Sequence, residues 1–424
     1  MSTPVPTAEG IMGYGKWEHG PFGLDAQRGQ TLRYQRTVLV VVHTVTAGTR
    51  LVDVVPMLEA DLRVQVVFTY APSALISAGV AEYLDRLGGV VVPWQQATQA
   101  PFDLAVAASD GLLEWVHAPV MTMLHGAGYN KYPVRWEGHG VAVRREAAGP
   151  ESSRLICHGR TIASAIVLPT KQQVERLRRS CPEAADIAVM AGDPCYDRLA
   201  ASMPARDAYR RTLGVGERTL VAVSSTWGPG SLLGGRPGLL AELMEWLPPS
   251  RYQVAAIIHP GVWHWHGPRQ VRAWYADCLR RGLILVPPDE GWRAVLAASD
   301  VVIGDHGSVT CYAAAAGIPV LLASQASGEV EPGSPVAILG SIAPRLRPDQ
   351  PYPAQIERAA SAWSPQRHDM VRALVTDVPG QSAGIIRSAM YRLMKLPEPN
   401  AGPLTRLVPA PRPVSAIETS GGQW

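Results

Sequence analysis

The chain has 424 residues, of which 47% are hydrophobic and 18% are charged, and its formal net charge is only +3. A chain of this length usually folds into more than one domain, and this composition excludes disorder over most of the length. The net charge is too small, and the Lys and Arg residues are too scattered, to predict nucleic acid as a partner.

The cysteines and the N-terminus indicate the compartment. The five cysteines form no CxxC pair, which favours a reduced cytoplasmic protein without a zinc site. The N-terminus is polar and rich in Gly and Pro, and it lacks the apolar core of a signal peptide. No apolar stretch reaches the ~18–20 residues of a membrane-spanning helix. We expect a cytoplasmic protein; peripheral contact with a membrane and a homodimer are both left open.

Residues 1–30 lack sustained periodicity and are expected to form an irregular arm. From Thr37 onwards, short β-branched runs alternate with stretches of helical spacing such as 74–87. Continuous apolar runs of this kind are typical of strands that are buried on both faces of a parallel sheet. The runs that predict strands in this first series are 38–42, 64–68, 90–92, 104–107, 120–124, 166–168 and 187–190.

A second series follows the polar stretch at 206–218, and it again alternates strands with helices. Its predicted strands are 220–224, 253–258, 283–286, 301–303 and 320–322, and its helices are 238–246, 269–281 and 309–316. Such alternation predicts parallel sheets with right-handed crossovers. We therefore predict an α/β protein with two Rossmann-like domains that face a cleft, at 31–205 and 206–345. Helices within 346–396 should pack back on the first domain, and the Pro-, Ser- and Gly-rich tail 397–424 should be disordered.

Ligands of open α/β sheets bind beyond the carboxyl ends of the strands, so polar residues that follow predicted strands are candidates for the site. His125 follows the strand 120–124 and begins a Gly-rich turn with Gly126 and Gly128, which leads to Lys131. An ordinary histidine pKa near 6.5 suits a general base at neutral pH. The alternative is a histidine that only bonds the backbone of its own loop.

His259 follows the strand 253–258, where it could donate a hydrogen bond or a charge to a phosphate. The nearby His264 and His266 suggest a metal site with His259, but the pair lacks nearby acidic or further histidine support.

Asp305, His306, Gly307 and Ser308 lie between the strand 301–303 and a helix of small residues. Backbone N–H groups, the Ser308 hydroxyl and the positive end of the helix would meet there, and a diphosphate suits such a site best. The alternative is simple capping of the helix by Ser308 or Asp305.

The loop after the strand 220–224 is rich in hydroxyl groups and glycine, with Ser225, Thr226 and Gly228. It could line the phosphates opposite Ser308, or it could be an ordinary turn.

Together these motifs resemble those of the CDP-glycerol glycerophosphotransferase family, GT-B enzymes that build teichoic-acid-like polymers. That family has a Trp-His-Gly motif followed by Lys, a Gly-x-Pro-x-x-Asp motif, a His-Pro after a strand, and an Asp-x-Ser-Ser before a helix. The matching segments of this chain, in the same order over about 120–325, are 125–131, 192–197, 259–260 and 305–308. The chain departs from the family at Leu124, which replaces the Trp, and at Gly307, which replaces the first Ser.

The resemblance implies a GT-B fold with the acceptor in the N-terminal domain and a nucleotide-diphosphate donor in the C-terminal domain. The activity would be the transfer of a glycosyl or glycerophosphoryl group to a hydroxyl acceptor, in cell-envelope synthesis. It implies that His125 is the base, with Gly126, Gly128 and Lys131 on the acceptor side. The implied diphosphate site comprises Ser225, Thr226, Gly228, His259, Asp305, His306, Gly307 and Ser308. Neither a metal nor a cofactor is expected, because a helix dipole and hydrogen-bond donors can stabilise a leaving diphosphate.

Two other functions stay open. A UDP-sugar 2-epimerase of the same fold would need acid/base carboxylates in the cleft, for which Asp103, Asp110 and Asp193 are the candidates near strand ends. A catalytically silent GT-B protein, which binds a nucleotide or a partner as a scaffold or regulator, would tolerate the altered Leu124 and Gly307.

Overall fold

The computed structural model describes residues 18, 20–21, 29–72, 78–130, 152–324, 330–402 and 405–414. Two parallel sheets form the centre of the molecule, with the strand orders β2-β1-β3-β4-β7-β8 and β11-β10-β9-β12-β13 in the numbering that follows. The described strands in chain order are β1 (Arg36–Val42), β2 (Val64–Tyr70), β3 (Leu104–Ala107), β4 (Val120–Met123), β5 (Ile156–Cys157), β6 (Arg160–Thr161), β7 (Ala165–Leu168), β8 (Ala188–Met190), β9 (Thr219–Ser225), β10 (Tyr252–Ile258), β11 (Ile284–Leu285), β12 (Val301–Gly304) and β13 (Val320–Leu322).

The α/β architecture predicted from the apolar runs is confirmed. All neighbouring strands within the two large sheets are parallel, and β5 and β6 form a separate antiparallel pair. The interior strand β1 is buried from Val38 to Val42, as expected for a strand that helices cover on both faces. Because the strands are parallel, their carboxyl ends meet at one edge of each sheet.

Helices fill the connections between the strands and cover both sheets. The α-helices of the described residues are α1 (Val45–Leu51), α2 (Pro56–Glu59), α3 (Val80–Leu87), α4 (Trp94–Ala97), α5 (Ser152–Leu155), α6 (Lys171–Ser180), α7 (Pro194–Ser202), α8 (Arg206–Thr212), α9 (Leu232–Gly235), α10 (Leu239–Trp246), α11 (Pro260–His266), α12 (Pro268–Trp274), α13 (Ala276–Arg280), α14 (Trp292–Ala298), α15 (Ser308–Ala315), α16 (Pro335–Ile342), α17 (Tyr352–Ala362), α18 (Pro365–Val375) and α19 (Ser382–Leu393). Short 3₁₀ helices occur at Leu113–Trp115, Pro182–Ile187 and Met203–Ala205.

Two predicted elements differ in the structure. The run 90–92 is not a strand: within it only Val91 forms a bridge, to Phe68 in β2, the edge strand of the first sheet. Gly88 and Gly89 precede this run and Pro93 ends it, so it is too short to extend the pairing. The single helix predicted over 269–281 is divided into α12 and α13 at Tyr275, whose φ of −109° is not helical.

The last helices do not all pack on the first sheet. Ile386, Met390 and Tyr391 of α19 share a core with β1, whereas Tyr352 and Ile356 of α17 belong to the core of the second sheet. The domain boundaries themselves stay a prediction.

The tail was expected to be disordered, but its described part packs against the body of the protein. Val408 is only 3% exposed, and its carbonyl accepts a hydrogen bond from the Tyr209 hydroxyl at 2.8 Å. The N–H of Val414 donates to the carbonyl of Leu285 in β11. The prediction of disorder rests on the average composition of the tail. An average composition does not show that single residues, here Val408 and Val414, hold the segment against the body of the protein.

Among the helices of the described residues, none is both long enough and apolar enough to cross a bilayer.

Candidate active site

A cavity of about 470 Å³ lies between the carboxyl edges of the two sheets. Both halves of the chain line it, so groups that are far apart in sequence face a common space. The lining side chains of the first half include Thr46, Arg50, Asp110, Thr122, His125 and Tyr129, and those of the second include Thr226, Trp227, His259, Trp292, Arg293, His306, Ser308 and Tyr312.

Most of the predicted site residues meet in this cavity. Those that line it are His125, Gly126, Gly128, Ser225, Thr226, His259, His306, Gly307 and Ser308. Gly228 and Asp305 are not part of the wall as the structure describes it. Lys131 lies outside the described residues.

The His125 ring is held in one tautomer by a backbone group. Its Nδ1 lies 2.9 Å from the carbonyl oxygen of Ala108, in the turn after β3. A carbonyl oxygen can only accept, so Nδ1 carries the proton and the neutral ring keeps its lone pair on Nε2. No described residue forms a hydrogen bond with Nε2, and the side chain lines the cavity. The alternative considered above was a histidine that only bonds backbone. The bond to the Ala108 carbonyl does more than this, because it leaves Nε2 as the ring atom that can accept a proton.

The environment of His125 keeps this base uncharged. Burial lowers the pKa of His125 below its ordinary value, and the charge of Arg50 lowers it further, while the bond to Ala108 and the charge of Asp110 oppose the shift. The neutral form, which can take up a proton, is therefore favoured at neutral pH.

The glycines after His125 allow close approach between the two halves. A Cβ on Gly126 would lie 2.6 Å from the Ser308 Oγ, which is closer than real Cβ contacts. Gly128 has a φ of +89°, a conformation that favours glycine, and a Cβ there would lie 2.8 Å from the Nε2 of Gln173. The loop at 125–128 is thus fitted between α6 and the start of α15.

His259 has the opposite tautomer to His125. Its Nδ1 accepts a hydrogen bond of 3.0 Å from the N–H of Gly261, so the neutral ring carries its proton on Nε2. Nε2 lies 3.5 Å from the Oγ1 of Thr46 on the other side of the cavity. His259 can therefore donate a hydrogen bond to an anion between the two halves.

The metal site suggested by the neighbouring histidines is not formed. His266 packs its ring against Trp274, with the centroids 4.9 Å apart, and His264 lies beside Gly79. Across the part of the chain that the structure describes, no group of three or more His, Cys, Asp or Glu side chains could hold a metal ion.

Asp305 was expected to contact phosphate, but it lies behind the cavity wall and holds the loops in place. It is fully buried, and its Oδ2 accepts hydrogen bonds from the N–H groups of Thr226 at 2.9 Å and Leu232 at 2.8 Å. Its Oδ1 accepts from the N–H of Gly307 at 2.9 Å. A carboxylate at the phosphates would repel them, whereas at this position it fixes both loops that would contact them.

Ser308 is the first residue of α15, and the N-cap Gly307 makes no side-chain cap hydrogen bond. Of the helix capping by Ser308 or Asp305 considered above, the structure shows the bond from the Gly307 N–H to Asp305. The positive end of α15 faces the cavity beside the Ser308 hydroxyl. In the facing loop, the Ser225 hydroxyl donates to the carbonyl of Thr226 and accepts from the N–H of Leu233. Ser225 thus stabilises its own loop.

A buried ion-pair network, which the sequence did not predict, joins the two halves below the cavity. Arg50 of α1 donates to both carboxylate oxygens of Asp193, at 2.8 and 3.2 Å. Tyr312 of α15 accepts from Arg50 and donates to Asp193 at 2.8 Å. Arg50 also lies 3.4 Å from the carbonyl of Gly126. The network therefore connects the His125 loop with the helix that begins at Ser308.

A second network lies beside the first. Arg293 of α14 donates to Asp53 at 2.7 Å, and Arg198 donates to the other oxygen of Asp53 at 3.0 Å. The Nε of Arg293 also lies 3.3 Å from the Sγ of Cys195, whose thiol pKa burial raises to about 11. The thiol is therefore neutral and packs as part of the wall.

The three carboxylates considered for an epimerase occupy different places. Asp103 precedes β3 at the opposite edge of the sheet, where it accepts from the N–H of Thr37 at 2.8 Å. Asp193 is committed to the buried network with Arg50. Among these three, Asp110 alone lines the cavity.

Comparison with known proteins finds no family model and no curated protein sequence that matches the chain. Solved structures do match. The wall teichoic acid polymerase TagF is similar over 86% of this chain and 90% of its own, with a TM-score of 0.55 and 13% identity. A histidine-to-alanine variant of TagF gives a TM-score of 0.57 at 12% identity over the same shares. S. aureus MnaA, solved with UDP, matches 87% of this chain and 100% of its own, with a TM-score of 0.47 and 12% identity.

At this level of identity, the TagF structures establish the fold: the chain has a GT-B fold related to that of TagF. The fold implied by the sequence resemblance is thereby confirmed.

Proposed function

We propose that this chain is a transferase that moves a glycosyl or glycerophosphoryl group from a nucleotide-diphosphate donor to a hydroxyl acceptor. The observation that carries the proposal is the contact between Gly126 and Ser308 across the cavity. It brings an oriented, uncharged base at the carboxyl edge of the first sheet close to the N-terminus of α15, which follows the second sheet. Base and anion site are the two groups that such a transfer requires.

The donor would bind with its phosphates at the start of α15. Ser308 and the Nε2–H of His259 can donate hydrogen bonds to phosphate oxygens, and the dipole of α15 favours negative charge at this end. One structure of a TagF variant was obtained after a soak with CDPG, which supports a nucleotide-activated donor for this fold.

His125 would act on the acceptor. Its Nε2 takes the proton of the acceptor hydroxyl while that oxygen forms the new bond to the transferred group. The bond to the leaving nucleotide breaks, and the leaving phosphate keeps the electron pair. Ser308, His259 and the helix dipole stabilise the charge that develops there, so this chemistry needs neither a metal nor a cofactor.

The experiment that tests the proposal is a thermal-shift screen with CDP, UDP, GDP and dTDP, followed by a transfer assay with the matching donor. A ligand that binds only the folded state raises the melting temperature by mass action. Ser308→Ala and His259→Ala should each reduce the shift, and Ser361→Ala on the exposed side of α17 is the control. The proposal fails if no diphosphate stabilises the protein, or if both site variants retain full affinity.

The same assay separates the alternatives. A silent nucleotide-binding protein would show the shift without donor hydrolysis or transfer to any acceptor. Conversion of a UDP-sugar without an acceptor would indicate an epimerase, for which Asp110 is the available carboxylate.

A further inference from the structure

His43 is a buried histidine directly after β1 to which the transfer mechanism assigns no role. The residue is only 1% exposed. Its Nε2 lies 2.6 Å from the carbonyl oxygen of Gly111. A carbonyl oxygen can only accept, so Nε2 carries the proton and His43 donates this hydrogen bond. The bond joins the end of β1 to the turn after β3, which comprises residues 108–112.

The turn 108–112 also holds the ring of the base. The Nδ1 of His125, after β4, lies 2.9 Å from the carbonyl oxygen of Ala108. In the first sheet β3 lies between β1 and β4, so the two histidines follow the strands on either side of the turn. His43 bonds the fourth residue of the turn, and His125 bonds its first. The position of one histidine ring therefore depends on a turn that the other histidine holds.

The conformation of the turn explains why a donor is needed there. Leu112 has a φ of +60°, a left-handed conformation that is uncommon for a leucine. The carbonyl that His43 holds belongs to the peptide group between Gly111 and Leu112. The bond therefore fixes the peptide group from which this φ is measured. Without the donor, the peptide group can rotate and Leu112 can relax to a negative φ, which moves the turn.

The bond to Ala108 decides which nitrogen of His125 can act as the base. A ring without that bond can carry its proton on either nitrogen, and the form with the proton on Nε2 cannot accept another one there. Movement of the Ala108 carbonyl would therefore leave a fraction of the molecules with a ring that is unable to act as the base.

We propose that His43 is a positioning residue for His125. It holds the turn 108–112 through the Gly111 carbonyl, so that the Ala108 carbonyl keeps the proton of His125 on Nδ1. The effect on transfer rests on the proposed function, in which His125 is the base. The tautomer of His125 can be measured without any substrate, so the two proposals can fail separately.

The first test measures the tautomer of His125 from the nitrogen-15 chemical shifts of its ring, at a pH of about 8, where the ring is neutral. His125→Ala assigns the signals in protein with labelled histidine. We expect the proton on Nδ1 in the wild type. His43→Phe keeps a ring but removes the donor, so a mixture of tautomers is expected. His43→Gln places an amide N–H near the position of Nε2 and should restore the wild-type signals.

The second test measures the rate of transfer and the affinity for the nucleotide. His43→Phe should lower turnover by about twofold to tenfold, the effect of one neutral hydrogen bond. The loss should be smaller than that of the base itself, because Thr122 still donates to Asp110 in the same turn. His43→Gln should recover most of the rate. Nucleotide affinity should be that of the wild type in both variants, because the proposed donor contacts belong to the second half of the chain.

Two comparisons separate positioning from folding. Val40→Ala removes buried volume from the same strand but leaves the bond to Gly111, so it should lower the free energy of unfolding without changing the tautomer. If His43→Phe does not fold, His43→Asn takes its place. The amide of Asn is one bond shorter than that of Gln and should not reach the Gly111 carbonyl, so this pair differs in the donor alone.

The outcomes decide the two proposals independently. A mixed tautomer and a lower rate in His43→Phe or His43→Asn, both restored in His43→Gln, would support the role of His43. That role is wrong if the variant without the donor keeps the wild-type tautomer or rate, or if Val40→Ala changes the tautomer equally. If the wild type transfers to no acceptor, the proposed function is wrong, and the tautomer alone then decides whether His43 positions the ring.

Discussion

Gly126, in the loop after β4, lies directly against Ser308 at the start of α15, so that a Cβ on Gly126 would be 2.6 Å from the Ser308 Oγ. The residue next to the base and the first residue of the proposed phosphate helix are thus in contact. Any side chain at Gly126 must displace the Ser308 hydroxyl. A substitution beside the base is therefore expected to change binding at the start of α15.

Gly126→Ala should weaken nucleotide binding because it turns the Ser308 hydroxyl away from the phosphates. We expect a loss of about 1.5–3 kcal/mol, as for Ser308→Ala, since both variants remove one hydrogen bond to a charged group. The double variant should bind no more weakly than either single variant, because the same bond is lost only once. Calorimetric titration with the nucleotide measures all three. Gly384→Ala, where a Cβ would meet nothing within 4 Å, is the control. Additive losses in the double variant would show that the contact is not the cause.

His125→Ala should lower turnover by about 10²–10⁴, the usual effect of losing a general base. Nucleotide affinity should stay near that of the wild type, because the donor contacts belong to the second half of the chain. Single-turnover transfer kinetics and equilibrium titration give the two quantities. Near-normal transfer would remove His125 from the mechanism, and a joint loss of affinity and stability would indicate a structural role.

The pH dependence of kcat/KM should report the titration of His125. Burial lowers the pKa of this residue below its ordinary value of 6.5, and only the neutral form can accept a proton. Activity should therefore be constant around neutral pH and should fall only at pH values below 6.5. Asp110→Asn removes a charge that raises this pKa, so the acid limb should move to lower pH in that variant. An acid limb above 6.5, or one that persists in His125→Ala, would assign the titration to another group.

Asp193→Ala should be strongly destabilising because it leaves Arg50 buried without its partner. Breaking a buried ion pair in this way costs about 3–5 kcal/mol. Tyr312→Phe removes the hydroxyl that accepts from Arg50 and donates to Asp193, but it keeps the ion pair, so a smaller loss of about 1–3 kcal/mol is expected. Urea unfolding gives both free energies. Glu357→Ala, which breaks the exposed pair with Arg251, should cost less than about 1 kcal/mol. Equal effects of Asp193→Ala and Glu357→Ala would contradict the role of the network.

The sequence predicts the fold well because each buried parallel strand is a short continuous apolar run. The predicted runs 104–107 and 320–322 coincide with β3 and β13. His125, His259 and Ser308 could be found for a related reason: each directly follows a strand, and the fold brings the carboxyl ends of the strands together. Their geometry, including the two opposite histidine tautomers, depends on partners that a strand pattern does not specify.

The buried networks could not be predicted in this way. Arg50 lies within a short helix, where an arginine is ordinarily exposed, and its partner Asp193 is 143 positions away. Tyr312 lies among the small residues of α15, and nothing in that sequence pattern indicates its hydrogen bonds with Arg50 and Asp193 in the first half. For Asp305 the pattern identified a carboxylate after a strand, but the direction of the side chain depends on the N–H groups of Thr226 and Leu232, in a separate loop.

The pairing of Arg50 with Asp193 and of Arg293 with Asp53 also determines how the cavity responds to ionic strength. Asp193 compensates the charge of Arg50, and Arg293 lies against Asp53, which it shares with Arg198, and 3.7 Å from Glu290. These arginines therefore exert little long-range attraction on an anion in solution. The remaining donors at α15 are dipoles, whose effect falls off within a few ångströms, less than the screening length of about 10 Å at 0.1 M salt. We therefore expect Arg50, Arg293 and α15 to contribute little to the change of nucleotide affinity between low and physiological salt.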